Sequence, residues 1–151
     1  MLRLVTTSRR LASRGFTLIE LLVVLVIIGI LASLALPSFV EFVRKGRRAD
    51  AVAALTLIQQ TQERWRANNA RYSSTLSALN LSDTTASGYY TLAITGDAAG
   101  FSASATAAGV QQSDGVCKVI TLTLANGSTT YGSTDSAGVV DSSLNNRCWA
   151  K

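Results

Sequence analysis

The sequence predicts an α+β protein: one long N-terminal helix, first apolar and then amphipathic, packed on a three- to four-stranded antiparallel sheet. Three observations carry this expectation. Leu21 to Val40 are twenty consecutive uncharged residues, enough for one helical crossing of a bilayer's hydrocarbon core. From Ala51 to Trp65 apolar residues return at helical spacing, so the helix continues with one face made for a core. Beyond Gly88 the pattern changes to period-two alternation broken by turn residues, as half-buried strands read.

Taken in order, residues 1–15 hold Arg3, Arg9, Arg10 and Arg14 and no acid. They account for +4 of the formal net charge of +5, and the rest carries ten bases against nine acids, or +1. The basic balance therefore describes the leader and is poor evidence for a nucleic-acid partner. A secretory signal has such a basic front, but it ends in a small-residue cleavage site after the apolar run, and no A-x-A-like site follows here. An uncleaved signal anchor is the plain alternative. Charge does not orient the helix, because Arg44, Lys45, Arg47 and Arg48 stand on the far side.

Glu20 sits at the front edge of the apolar run. A carboxylate at mid-bilayer costs about 2.5–3.5 kcal/mol, which makes such acids functional candidates. Near a helix start the cost falls, because the N-terminal end of the helix dipole favours an anion. Glu20 thus either reaches to the headgroups or serves assembly. Gly29 and Pro37 punctuate the run, Pro by removing a backbone hydrogen bond and Gly by low helix propensity.

In the second half of the helix, Ala51, Ala54, Leu55, Ile58, Gln62 and Trp65 form the apolar face, with Arg48, Asp50, Gln59, Glu63 and Arg66 around the remainder. The helix is expected to end near Asn68-Asn69. The basic cluster Arg44–Arg48 reads first as a set of contacts to lipid headgroups or to acids such as Glu41 and Asp50 on neighbouring subunits. A DNA contact would sooner use exposed loops with Lys118, Arg147 and Lys151. Arg71 to Gly88 reads as a draped loop with one short helical turn and Leu76, Leu79 and Leu81 as anchors. Tyr89–Thr95, Phe101–Ala107 and Cys117–Leu124 read as strands, with a turn at Gly96-Asp97. Asn126-Gly127 before STTYG is a type I′ hairpin signal, since both central residues need positive φ. Gly132 to Asn146 is polar and rich in Gly and Ser, with little to pack.

Absent residues bound the chemistry. The chain has no His, hence no Ser-His or Cys-His nucleophile and no imidazole metal site. Asp83, Asp97, Asp114, Asp135 and Asp141 lack EF-hand spacing, and no Gly-rich phosphate loop follows a strand. The expectation is no enzyme, no cofactor and no metal.

The order GFTLIE at Gly15–Glu20 resembles the prepilin leader junction of type IV pilins and of the related pseudopilins of type II secretion. The resemblance implies cleavage by prepilin peptidase between Gly15 and Phe16, N-methylation of Phe16 and use of Glu20 in assembly. The new Phe16 amine can neutralise the Glu20 carboxylate within or between subunits. The resemblance also settles orientation, with the leader in the cytoplasm and the domain in the periplasm. The implied domains are a leader (1–15), a transmembrane and filament-core half-helix (16–40), an amphipathic half-helix (41–69) and a globular part (70–151). QQTQERWRANNARY also resembles the end of the long helix of type IVa pilins. In that family the helix loses order between a Gly and a Pro at places matching Gly29 and Pro37, so 29–37 is expected to be helical in the monomer and extensible in the fibre.

Outside the cytoplasm a Cys117–Cys148 disulfide is the default, similar to the disulfide-bounded C-terminal loop of type IV pilins. The implied function is a structural subunit of a type IV pilus, for adhesion, motility or DNA uptake. Its partners would be other copies and other pilins, the inner-membrane assembly machinery and, before assembly, the inner membrane itself; after assembly it would be extracellular. The alternatives are a minor pilin binding DNA for natural transformation and a secretion pseudopilin, against which the cysteine loop argues.

Overall fold

The computed structural model describes residues 15–149. Arg3, Arg9, Arg10, Arg14 and Lys151 lie outside the described residues. One helix, α1 (Leu18–Arg66), precedes strands β1 (Tyr90–Gly96), β2 (Gly100–Ala107), β3 (Val119–Ala125), β4 (Ser128–Thr134) and β5 (Val140–Asp141). The chain divides into two compact units, Met1–Phe39 and Val40–Lys151.

In the first unit Thr17 starts the helix. Its hydroxyl oxygen accepts the backbone N–H of Glu20 at 3.3 Å, the N-cap bond of a T-x-x-E capping box. GFTLIE is thus a helix-start signal in its own right. Gly29 and Pro37 both lie inside the helical span. Ser33 turns its hydroxyl onto the Ile30 carbonyl at 2.7 Å, so that its own polar group is met by the helix backbone. Leu18 is 84% exposed and Leu34 70%.

In the second unit α1 buries Arg48, Ala51, Leu55, Ile58 and Gln62, a stripe with alternating steps of three and four residues. It meets one face of an antiparallel five-stranded sheet of order β1-β2-β3-β4-β5. The register aligns Leu92 with Ala105, Ala105 with Ile120, and Ala103 with Leu122. These residues share the inner face and are buried with Tyr90, Phe101 and Leu55. Ala103, Ala105 and Ala107 make the inner side of β2 a row of small side chains, all of them buried. The other face is hydroxylic, pairing Thr95 with Ser102 and Ser104 with Thr121.

The hairpin joining β3 to β4 has positive φ at Asn126 (51°) and Gly127 (76°), as a type I′ turn requires. The loop after the helix is tied down by a buried amide: Gln62 donates to the Ser73 carbonyl at 2.8 Å and accepts the Ser73 N–H at 2.9 Å. Leu79, in the expected short turn, is buried. This loop also covers the outer edge of β1, where Leu92 donates to the Asp83 carbonyl and Thr84 bridges Thr91.

Several expectations need adjustment. The sheet has a fifth strand, two residues long, which pairs Ser133 with Asp141 and Thr134 with Val140. The helix ends at Arg66, with the Asn69 side chain donating to the Trp65 carbonyl at 2.8 Å. The 132–146 segment is held by more than a disulfide: β5 pairs within it, and Asn146 takes the Ser133 hydroxyl and the Cys148 N–H on its side-chain oxygen. Arg48 is not on the polar side of the helix but heads the buried stripe.

Candidate functional site

Arg48 is buried because a carboxylate far along the chain meets it. Its guanidinium donates to both oxygens of Asp114, at 2.7 and 2.9 Å, a planar two-point match. It also donates to Glu41 at 2.9 Å. Asp114 further accepts the backbone N–H groups of Val116 and Cys117, each at 3.2 Å. Gln111 completes the cluster, its amide nitrogen lying 3.0 Å from Asp114, 3.1 Å from the Tyr90 hydroxyl and 3.3 Å from the Arg44 carbonyl. Helix, first strand and the connection from β2 to β3 are thus welded through polar groups.

The electrostatics follow from this arrangement. Burial alone would raise the Asp114 carboxyl, but the Arg48 bond and the Cys117 and Val116 N–H groups outweigh it and hold it below the ordinary aspartate value. Burial would lower the Arg48 guanidinium, and its two carboxylate partners raise it instead. Tyr90 is pushed up to about 12, chiefly by burial.

Three further bases lie at or beside the same connection. Arg44 donates to the Ser113 hydroxyl at 3.3 Å, and Lys118 reaches the Gln112 carbonyl at 3.0 Å. Arg47 stands 4.8 Å over the Tyr89 ring, a cation–π contact. The fold therefore brings Lys118 to the Arg44–Arg47 cluster, which lies about seventy residues earlier in the sequence. Glu41 pairs within the chain, 3.9 Å from Arg44 and 2.9 Å from Arg48. Arg48 leaves the candidate surface, since it is spent on Asp114.

Cys117 and Cys148 form the disulfide, Cα atoms 5.6 Å apart. It places Lys118 and Arg147 next to its two halves. They differ in surroundings: exposed Arg147 lines a cavity of about 210 Å³ with Asp135 and Asp141, where acids offset its charge. Gly15 and Phe16 are exposed, Phe16 at 80%, and Glu20 lies in the first helical turn.

Sequence reasoning missed Asp114 and Gln111, because QQSDG reads as an ordinary polar loop and nothing local signals a buried partner. It also missed the pairing of Tyr131 with Trp149, ring centroids 4.7 Å apart and edge to face. The Trp149 indole donates to the Gly132 carbonyl at 2.9 Å.

Two family models match the chain. The one described as type IV minor pilin ComP, DNA uptake sequence receptor, matches residues 37–121. The one described as the prokaryotic N-terminal methylation motif matches residues 10–36. No curated protein matches significantly.

Proposed function

The chain belongs to the type IV minor pilin ComP family of DNA uptake sequence receptors, and from that premise we propose that it is a minor subunit of a type IV pilus that captures DNA at the cell surface. The single observation that carries the reading is the receptor-family match over 37–121, which spans Arg44, Arg47 and Lys118. These three bases flank one connection of the fold, as a surface following a phosphate backbone must. Arg147, beside two acids, is the weaker phosphate contact. Lys151 remains a candidate from sequence alone.

The methylation-motif match supports cleavage after Gly15 and a modified Phe16. Glu20 then meets the new amine during assembly, and the Gly29–Pro37 segment extends in the fibre. Before assembly the apolar half-helix anchors the chain in the inner membrane with its domain in the periplasm. The protein is structural and binding in character, with no enzymatic step of its own. The pseudopilin alternative has the shared GFTLIE motif and long helix in its favour, and the Cys117–Cys148 loop argues against it.

Binding of duplex DNA by the detergent-solubilised full chain, titrated against salt, tests the DNA reading. Each phosphate contact contributes about −0.9 to the slope of log K against log salt. Arg47→Gln and Lys118→Gln are each expected to shorten the slope by about one such contact, and Arg147→Gln to change it less. Undetectable DNA binding at low salt by the native protein would refute it.

A further inference from the structure

The two edges of the sheet are treated differently. The β1 edge is covered along Tyr90–Leu92 by the loop that precedes it, through Asp83, Thr84 and Thr85. The β4 edge is covered only at its C-terminal end, where β5 pairs with Ser133 and Thr134. The direction of the free backbone groups follows from the register. A two-residue turn makes Ala125 and Ser128 a hydrogen-bonded pair, so Ser128, Thr130 and Gly132 point their N–H and C=O groups at β3. Thr129, Tyr131 and Ser133 point theirs outward. Ser133 meets β5, and the next outward residue, Asp135, donates its N–H to the Val139 carbonyl at 3.1 Å. The outward groups of Thr129 and Tyr131 have no partner strand among the described residues.

What lies beside them is a slot. A groove of about 500 Å³ runs between this stretch of β4 and the C-terminal loop, walled by Tyr131, Trp149, Ser142 and Leu144. None of its lining side chains is charged. Leu144 is 93% exposed and Tyr131 45%, so apolar surface faces the opening. β5 already starts the neighbouring lane, and the chain is turned out of it after Asp141, whose carboxylate accepts the Ser143 N–H at 2.9 Å. Soluble sheets blunt such an edge with Lys, Pro or a bulge; residues 128–131 are Ser-Thr-Thr-Tyr.

We infer that this slot receives an extended, uncharged peptide segment of another protein, added as a strand that continues the lane of β5 along Thr129 and Tyr131. Main-chain hydrogen bonds to those two residues give affinity, and the Tyr131–Trp149–Leu144 wall selects an apolar side chain at alternate positions of the guest. The uncharged lining favours such a segment over the acidic backbone of DNA, and the surface is separate from Arg44, Arg47 and Lys118.

The probe is a displayed library of random linear heptapeptides panned against the full chain in detergent, followed by the best sequence as a synthetic peptide. Enriched peptides should be uncharged and rich in apolar and β-branched residues, and should bind equally at low and high salt. Amide exchange should slow at Thr129 and Tyr131 on binding. Thr129→Pro removes an outward N–H without touching the ladder to β3 and should weaken binding at least tenfold. Leu144→Glu puts a charge in the slot at a position outside the core and should do the same with an unchanged melting curve, so it decides the matter if the proline variant does not fold. DNA binding should survive both changes. No enriched peptide, enrichment of acidic peptides that salt displaces, or unaltered exchange at Thr129 and Tyr131 would overturn the inference.

Discussion

A guanidinium at 5% exposure and a carboxylate at 1% are each costly to bury alone, and together they hold because both carboxylate oxygens are satisfied and the guanidinium donates to two acids. Removing Asp114 leaves the buried Arg48 guanidinium with only the half-exposed Glu41 as a charged partner, and breaking a buried pair in this way costs about 3–5 kcal/mol. Asp114→Ala should therefore lower stability by about that amount at neutral pH, as read from denaturant unfolding. Replacing both partners by apolar residues should recover only part of it, since the N–H groups of Val116 and Cys117 would still be orphaned. The Asp114 carboxyl is held below its ordinary value of 3.8, so its contribution is complete above that value and fades as pH falls through the lowered one. The gap between native protein and Asp114→Asn should close in that acid window.

Tyr90 has the opposite sign. Its phenol is raised from 10.0 to about 12, so the fold favours the protonated form, and the stability it lends is complete below pH 10 and lost as pH climbs toward 12. An absorbance titration of phenolate should show a late step that belongs to Tyr90. Tyr90→Phe should remove that late step together with its share of alkaline destabilisation.

Among elements, the C-terminal loop shows how a polar segment is kept. Gly132–Asn146 buries little apolar surface, and four ties converge on it: the disulfide, the two-residue β5, the Asn146 side chain and the Trp149 indole on the Gly132 carbonyl. The Cys117–Cys148 link spans 31 residues, worth roughly 3–4 kcal/mol on the chain-entropy model. Cys148→Ser with Cys117→Ser should cost about that much and loosen Trp149, seen as a red shift in tryptophan emission and faster amide exchange through β5. The exchange of β1 and β2 amides, whose ladder lies on the far side of the sheet, should respond only to the global loss.

At the scale of the whole molecule, one unit exposes apolar side chains all round and the other closes its own core. An all-apolar helical surface persists only in lipid or against other such helices, so the rod has two homes, membrane and filament core. A type IV pilin moves between them. Glu20→Gln keeps the size of the side chain and the Thr17 cap while deleting the charge. It should leave membrane insertion intact and lower the amount recovered in sheared surface fibres at least tenfold, measured by immunoblot of the two fractions. Equal recovery would remove Glu20 from the assembly step.

The sequence by itself determined whatever depends on near neighbours: the helix and its two characters, the alternating faces of β1 to β3 and the Asn126-Gly127 turn. Each arises within a few residues, where periodicity and backbone preference act directly. Only the tertiary structure decided which charges are structural and which are free. Arg48 and Lys118 look alike in the chain, yet one is consumed by Asp114 and the other stays at the surface with Arg44, because pairing across 66 residues leaves no local trace. The Tyr131–Trp149 wall is of the same kind, since Trp149 reaches β4 from the far end of the C-terminal loop, beside the disulfide that ties Cys148 to Cys117.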